Sequence, residues 1–164
     1  MPAHDKAATL RYLDKRNIPY ELVEHEAVLT MEALHALDLP FEHEVVKNLF
    51  LRDDKKRNYY LVTTAGDVSV DLKGLRAALG SRPLSFASER DLAVILGLAP
   101  GAVTPLGILN DEARCTEVVI DEALRGRDAI GVHPCDNTAT MRIALSDLLA
   151  IFEEHGTPYR FARM

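Results

Sequence analysis

The sequence predicts an α+β fold in which helices surround a curved, mixed and largely antiparallel sheet. Segments with helical spacing and caps alternate with short runs that carry the alternation of strands, and two of those runs form a hairpin. The composition, with 48% hydrophobic and 27% charged residues, is that of an ordinary globular protein. A length of 164 residues suits one domain with a well-buried core.

The first quarter of the chain predicts a helix, a strand and a second helix. Residues 4–17 carry apolar side chains at helical spacing, and residues 20–24 alternate as a strand does. Thr30 is placed to cap a short helix over residues 31–39, which Pro40 would end.

The next segment predicts a β-hairpin. Residues 45–52, VVKNLFLR, are a strong strand candidate, and residues 59–63 form the return strand. Residues 53–58 supply the polar turn between the two strands, and residues 65–67 form a second turn.

Two capped helices flank a short strand in the middle of the chain. The helix over residues 71–79 begins with a capping Asp and ends before a Gly. Residues 84–86 form the strand. The second helix, over residues 88–97, begins with a capping Ser and also ends at a Gly.

The last third begins with residues 97–111, the segment richest in Gly and Pro, which predicts a structured loop leading into a strand edge. Three strands follow: residues 117–120, 129–132 and 138–143. Ser146 is expected to cap the final helix, which Gly156 ends.

The charge distribution excludes some classes of protein. A net charge of −6 argues against a protein that coats nucleic acid, and no helix-turn-helix pattern supports a DNA-binding regulator. A protein that contacts one end of a nucleic acid remains open. Residues 47–57 carry five basic and two acidic side chains, and Lys73, Arg76 and Arg82 form a second basic group.

The cysteines and the N-terminal sequence indicate the compartment. Cys115 and Cys135 form no CxxC motif, and the first residues show no apolar run typical of a secretion signal. We therefore expect free thiols and a cytoplasmic location, with no contact with a membrane.

Several standard catalytic motifs are missing from the sequence. It contains no GxSxG, GxxxxGK[ST] or GxGxxG motif. Residues 25–26 and 43–44 begin like the zinc motif HExxH, but Leu29 and Lys47 occupy the place of the second His. We therefore expect no metal and no cofactor, which restricts a hydrolase with this sequence to substrates that are already activated.

Two segments carry residues that fit an active site. Lys47 interrupts an apolar strand, so it is either an exposed Lys on an edge strand or a half-buried cation with a function. In Val103-Thr104-Pro105-Leu106-Gly107, the Pro stiffens the backbone and the Gly allows a close approach. Such a loop is either an ordinary turn or a set of N–H groups aimed at a developing oxyanion.

Two further segments are ambiguous when taken alone. His133 precedes a Pro, and a single His in that setting has either a structural or a catalytic role. Residues 136–140, DNTAT, either satisfy the backbone of a turn or line a pocket.

Together these segments resemble the YbaK/ProX family of trans-editing aminoacyl-tRNA deacylases, which is related to the editing insertion domain of bacterial prolyl-tRNA synthetase. The matching motifs are HEAVLT at 25–30, VVKNLFL at 45–51, PGAVTPLGILND at 100–111 and HPCDNTAT at 133–140. The resemblance implies that residues 1–164 form a single editing domain. It points to the stand-alone branch that acts on Ala-tRNA(Pro).

One departure from the family pattern bears on specificity. Much of the family has a GxxP loop, whereas this chain has Ala102-Val103-Thr104-Pro105 with Gly101 one position earlier. This departure favours the alanine-directed branch over the branch that acts on cysteinyl-tRNA.

The resemblance also implies a role for each site residue. Lys47 would hold the phosphate of the terminal adenosine, and Asn48 would fix the loop or the ribose. Backbone N–H groups near Thr104–Gly107 would receive the ester carbonyl, and Leu29 and Met31 would wall a small pocket unless they are core residues. The substrate-binding residues implied in full are Leu29, Thr30, Met31, Val103, Thr104, Pro105, Gly107, His133, Asn137 and Thr138.

The function implied is hydrolysis of mischarged tRNA(Pro), with Ala-tRNA(Pro) as the substrate. The expected partners are the acceptor end of tRNA(Pro) and prolyl-tRNA synthetase, with no specific binding to DNA. The alternatives are a deacylase for another mischarge, namely Cys, Ser or Thr, and a module that binds tRNA or a synthetase without catalysis.

Overall fold

The computed structural model describes residues 4–66 and 68–164, so Asp67, in the second predicted turn, lies outside the described residues. The helices there are α1 (Lys6–Lys15), α2 (Met31–His35), α3 (Leu72–Leu79), α4 (Glu89–Asp91) and α5 (Leu145–His155). The strands are β1 (Tyr20–Glu24), β2 (Val46–Asp53), β3 (Tyr59–Ala65), β4 (Leu84–Phe86), β5 (Thr116–Asp121), β6 (Ala129–Val132), β7 (Ala139–Ala144) and β8 (Tyr159–Ala162).

The strands form two sheets rather than the single sheet expected. One is an antiparallel sheet in the order β1-β7-β6, and the other is a mixed sheet in the order β4-β2-β3-β5-β8. In the larger sheet β2 is antiparallel to β3 and β4, whereas β3, β5 and β8 are parallel. A parallel bridge between Val45 and Gly131 joins the two sheets. The α+β class with mostly antiparallel pairing is confirmed.

One edge of β2 is paired with neighbouring strands only in part, and the candidate site lies at the unpaired stretch. The bridge to Gly131 contacts this region at Val45, while β4 pairs with β2 from Leu51 onward. The N–H of Ala87 donates to the carbonyl of Phe50 across the same edge, at 2.9 Å. In an antiparallel strand, residues two positions apart point their backbone N–H and C=O groups to the same side. Asn48 lies two residues before Phe50, so its N–H and C=O also face this edge, in the gap between β6 and β4.

The core lies on both faces of the larger sheet. Side chains alternate along β3, so Leu61 packs in the main cluster with α5 and the smaller sheet, and Val62 packs under α3. A third cluster lies beneath α2 and includes Val45. The start of β2 is therefore fixed by packing on both sides of the gap.

Most of the predicted element boundaries are confirmed. Thr30 caps α2, with its Oγ1 accepting from the N–H of Ala33 at 3.0 Å, and Asp71 caps α3. Gly80 and Gly156 end their helices in the left-handed conformation, at φ +65° and +80°.

Other boundaries differ from the prediction. The short helix ends at His35 rather than at residue 39, and the helix that begins at Glu89 continues as a π-helical turn over Leu92–Leu96. Ser146 lies inside α5 and does not cap it, because the helix begins at Leu145 after Ala144. Residues 105–110 form a 3-10 helix instead of a loop that leads into a strand edge.

Strand β8 is absent from the prediction. It is short and follows Pro158, and none of its four residues is fully buried. It forms because the free edge of β5 is available for parallel pairing, from Val118↔Tyr159 to Asp121↔Ala162. Local alternation over four residues is a weak signal for such a strand.

Candidate active site

A cavity of about 260 Å³ opens at the uncovered edge of β2. Its walls come from the segment entering α2, from the start of β2, from the loop at residues 101–103, and from β6 and β7. The lining residues are Val28, Leu29, Thr30, Met31, Leu34, Val45, Val46, Lys47, Asn48, Gly101, Val103, Gly131, Val132, His133 and Thr140. The cavity therefore joins residues from all four predicted motifs.

Lys47 borders this cavity as a half-buried cation. Lys47 is half-buried and its strand is not an edge strand of the sheet, so it is not the exposed edge-strand Lys that the sequence also allowed. The ammonium group donates to the carbonyl of Val68. An ammonium carries three donors, so two remain for a ligand.

Asn48 follows on the opposite face of the strand and also borders the cavity. Its Oδ1 accepts from the hydroxyl of Thr63 at 2.7 Å, which fixes the orientation of the amide. Among the described residues, neither the side-chain Nδ2 of Asn48 nor its backbone N–H has a hydrogen-bond partner. Asn48 thus presents free donors at the gap.

His133 borders the cavity with a defined tautomer. Its Nδ1 lies 2.8 Å from the carbonyl of Ala139, which can only accept, so Nδ1 carries the proton and Nε2 holds a lone pair. Burial lowers the pKa of His133 below its usual value, and the neighbouring His25 lowers it further, although the Ala139 contact raises it. The imidazole is therefore neutral at physiological pH.

His25 supports this wall from outside the cavity. Its Nδ1 lies 2.8 Å from the carbonyl of Glu26, and its Nε2 lies 2.8 Å from the Oγ1 of Thr140. The Glu26 contact places the proton on Nδ1, so the hydroxyl of Thr140 donates to Nε2. This contact fixes Thr140, which lines the cavity.

Part of the expected site does not reach the cavity. Thr104, Pro105 and Gly107 are buried in or beside the 3-10 helix. The N–H of Leu106 donates to the Oγ1 of Thr104 at 3.4 Å, and that of Gly107 donates to the Thr104 carbonyl at 3.0 Å. Two of the N–H groups expected to receive the ester carbonyl, those of Leu106 and Gly107, are therefore occupied within this segment.

Val103, which precedes these residues in the same motif, has a different environment. It lines the cavity, and within residues 4–66 and 68–164 no hydrogen bond engages its N–H. Val103 and Asn48 thus both border the cavity, and both have a backbone N–H without a hydrogen-bond partner in the part of the chain that the structure describes. Unoccupied N–H groups are the kind of donor that can stabilise a developing oxyanion.

The segment at residues 28–31 forms one wall. Leu29 is 73% exposed at the rim, so it is not a core residue, and Met31 is half-buried and packs against the cluster beneath α2. The hydroxyl of Thr30 is engaged in capping α2. The side chains that this wall offers to the cavity are therefore apolar.

Asn137 and Thr138 do not line the cavity but support its walls. The Nδ2 of Asn137 donates to the carbonyl of Val28 at 2.9 Å, which ties the segment before α2 to the segment before β7. The hydroxyl of Thr138 donates to Asp136. These two residues act through the backbone that they hold.

Gly101 and Thr140 line the cavity and were not among the predicted site residues. Gly101 has φ +87°, and an added Cβ would lie 2.7 Å from Cδ2 of Leu29, so a side chain there would close the entrance. Both residues fall inside motifs that the sequence singles out. Spacing alone does not show which members of a motif face a cavity.

Among the described residues, no group of three or more His, Cys, Asp or Glu side chains is placed to hold a metal ion. None of the helices in this part of the chain combines the length and the apolar character that crossing a membrane requires.

Comparison with known proteins gives one matching family model and several similar chains. The model is that of the aminoacyl-tRNA editing domain, and it matches residues 25–151. The prolyl-tRNA editing protein ProX of Acetoanaerobium sticklandii is 44% identical over 155 residues, which cover 94% of this chain and 94% of that protein. A prolyl-tRNA synthetase associated domain-containing protein of Danio rerio is 38% identical over 145 residues, covering 87% and 78% of the two chains.

The fold also recurs among solved structures. The crystal structure of a proposed trans-editing enzyme for prolyl tRNA synthetase superposes with a TM-score of 0.71 at 24% identity, covering 97% of each chain. The hypothetical protein APE2540 superposes with a TM-score of 0.72 at 19% identity, covering 96% of this chain and 99% of that one. At these identities the likeness concerns the fold.

Proposed function

The chain belongs to the family of aminoacyl-tRNA editing domains, and from this premise we propose that it is a trans-editing deacylase that hydrolyses Ala-tRNA(Pro). The observation that carries the proposal is the cavity itself. It is small and mostly aliphatic, and it brings together a half-buried Lys, two unoccupied backbone N–H groups and a neutral His. This combination suits the binding of a small apolar aminoacyl group and the hydrolysis of its ester.

We attribute the selectivity to the rigid, buried walls of the cavity. The site in which a synthetase selects proline discriminates poorly against the smaller alanine, because an apolar pocket gains only about 1–3 kcal/mol from each methylene that the smaller substrate lacks. A second, smaller site solves this problem by admitting only the smaller side chain. Val28, Leu34 and Val45 are buried walls here, so the cavity has little room to expand around a pyrrolidine ring.

The chemical step needs no enzyme nucleophile, because the aminoacyl ester is already activated. Water attacks the carbonyl carbon, the carbonyl oxygen becomes an oxyanion, and the backbone N–H groups of Val103 and Asn48 stabilise it. The bond between the carbonyl carbon and the ribose oxygen then breaks. The ribose oxygen leaves with the proton that the attacking water gives up, and the products are free alanine and tRNA.

His133 is suited to ordering the attacking water. Its Nε2 lone pair accepts a hydrogen bond from the water or from the neighbouring ribose hydroxyl, since Nδ1 is committed to the Ala139 carbonyl. Lys47 holds the terminal phosphate as a point charge with its two remaining donors. Both residues thus act mainly by positioning the substrate.

The expected partner is the acceptor end of tRNA(Pro), and prolyl-tRNA synthetase is the second partner that we propose. The exposed loop between β2 and β3 carries Lys55, Lys56 and Arg57, so it supplies positive charge on a protein of net charge −6. Since tRNA charging takes place in the cytoplasm, we place the protein there.

A panel of substrates tests the proposed function. The purified chain is incubated with tRNA(Pro) charged with Ala, Cys, Ser or Thr, and loss of the ester is followed together with binding of uncharged tRNA(Pro). We expect fastest hydrolysis of the alanyl ester. Faster hydrolysis of another ester would reassign the substrate, and tRNA binding without hydrolysis of any ester would show a binding module.

A further inference from the structure

A second cavity of about 270 Å³ adjoins the first along the edge of β2. The two cavities share Asn48, Gly101 and Val103, which therefore form the junction between them. The second cavity occupies the stretch where β4 has ended and the edge of β2 is covered only by the contact between Ala87 and Phe50.

Phe86, the last residue of β4, lines this second cavity and is 60% exposed. Phe50 and Leu92, both buried, lie among its other lining residues. An aromatic side chain exposed at the mouth of an apolar cavity is well placed to stack on a flat ring, and unpaired nucleobases bind to proteins in this way.

We propose that the second cavity binds the nucleobase of the terminal nucleoside that carries the aminoacyl ester, with the base stacked on Phe86. The proposal rests on the proposed function. The amino acid and the base are attached to the same ribose, so a ligand whose aminoacyl group fills the first cavity must place its base within one ribose of it. The junction at Asn48, Gly101 and Val103 then takes the ribose.

The charge of the second cavity favours a base over a phosphate. Glu89 is the charged residue among those that line it, and a carboxylate repels a phosphate. The backbone C=O of Asn48 faces the same gap, and it can accept a hydrogen bond from an amino group of a base or from a ribose hydroxyl.

Two analogues test this proposal without turnover. One is adenosine with L-alanine joined to the 3′ position through an amide, and the other is the matching abasic riboside. Dissociation constants are measured by NMR titration for wild type, Phe86→Ala and Phe86→Tyr. Val94→Ala serves as the control, because Val94 is 73% exposed and lies outside both cavities.

We expect Phe86→Ala to weaken binding of the adenosine analogue about tenfold and to leave the abasic analogue within about twofold. Phe86→Tyr keeps an aromatic ring and should restore the affinity, and Val94→Ala should change neither analogue. An equal loss on both analogues, or no loss on either, would overturn the proposal. Hydrolysis of Ala-tRNA(Pro) by wild type, measured in parallel, reports separately on the proposed function.

Discussion

Lys47 shows how a single residue of the site is held by its surroundings. A half-buried ammonium is costly unless it has partners, and here the Val68 carbonyl supplies one. The same contact limits the reach of the side chain, so the charge stays at the border of the cavity. The remaining donors are then available to a substrate phosphate.

Lys47→Ala should lower kcat/KM for Ala-tRNA(Pro) about 100-fold, because it removes a positioned charge at the cavity. The fold should persist, since the alanine leaves no buried charge unpaired. Initial rates and the far-UV circular dichroism spectrum measure the two effects. Lys15→Ala, an exposed Lys in α1, is the matched control and should behave as wild type. Wild-type turnover by Lys47→Ala would remove Lys47 from the site.

His133 makes activity depend on pH. Its pKa is lowered by burial, so the neutral imidazole persists below the usual value of 6.5. If neutral His133 orders the water, kcat/KM stays level as pH falls to 6.5 and declines only below it. As the pH falls below 6.5, His133 is protonated in the unfolded chain before it is protonated in the folded protein. The free energy of unfolding therefore also decreases below pH 6.5.

The pH profile of kcat/KM, measured with wild type and with His133→Gln, checks this account. The decline at low pH should disappear in His133→Gln, whose residual activity is lower. The exposed His43 replaced by Gln should keep the wild-type profile. A profile that His133→Gln leaves unchanged would assign His133 a structural role.

At the scale of elements, the cavity depends on contacts between segments distant in sequence. Asn137 ties the segment before β7 to Val28, and Gly101 fits against Leu29. Strand β2 lies beneath both, with its edge left open between β6 and β4. The cavity thus lies between two loops, the open edge of β2, and strands β6 and β7, and a small number of hydrogen bonds holds these parts together.

Asn137→Ala should cost about 1–3 kcal/mol of unfolding free energy, because the Val28 carbonyl loses its partner. It should also lower kcat/KM, since the Leu29 wall loosens. Urea unfolding and initial rates measure the two effects.

The control is Asn110→Ala, which removes a bond to the Leu96 carbonyl, 2.7 Å long, and two contacts of the same amide with the backbone of His4, all away from the cavity. It should lower stability at least as much as Asn137→Ala without changing kcat/KM. Equal loss of activity in both variants would mean that Asn137 acts only through overall stability.

The sequence predicted the elements better than their assembly. Local signals such as the caps at Thr30 and Asp71 depend on neighbouring residues, so they can be read from the chain. The pairing of β8 with β5 and the division into two sheets depend on distant contacts, which periodicity does not encode. The motifs predicted which segments line the cavity. Whether Thr104 or Val103 borders it depends on the 3-10 helix, and the Gly and Pro content of this segment predicted a loop instead.

For the whole molecule, the two cavities at the open edge of β2 connect the fold to the proposed reaction. The first has the size and aliphatic walls for a small side chain, and the second continues toward exposed Phe86. The basic loop at residues 55–57 lies at the far end of the same strand. An acceptor end laid along β2 would therefore meet positive charge, an aromatic surface and the cavity in turn.

The ratio of kcat/KM for Ala-tRNA(Pro) to kcat/KM for Pro-tRNA(Pro), determined with wild type under identical conditions, tests the central claim most directly. Steric exclusion of the pyrrolidine ring by the buried walls predicts a ratio of at least about 100, since a difference of about 3 kcal/mol or more separates the two substrates. Comparable hydrolysis of the correctly charged Pro-tRNA(Pro) would contradict editing by this cavity.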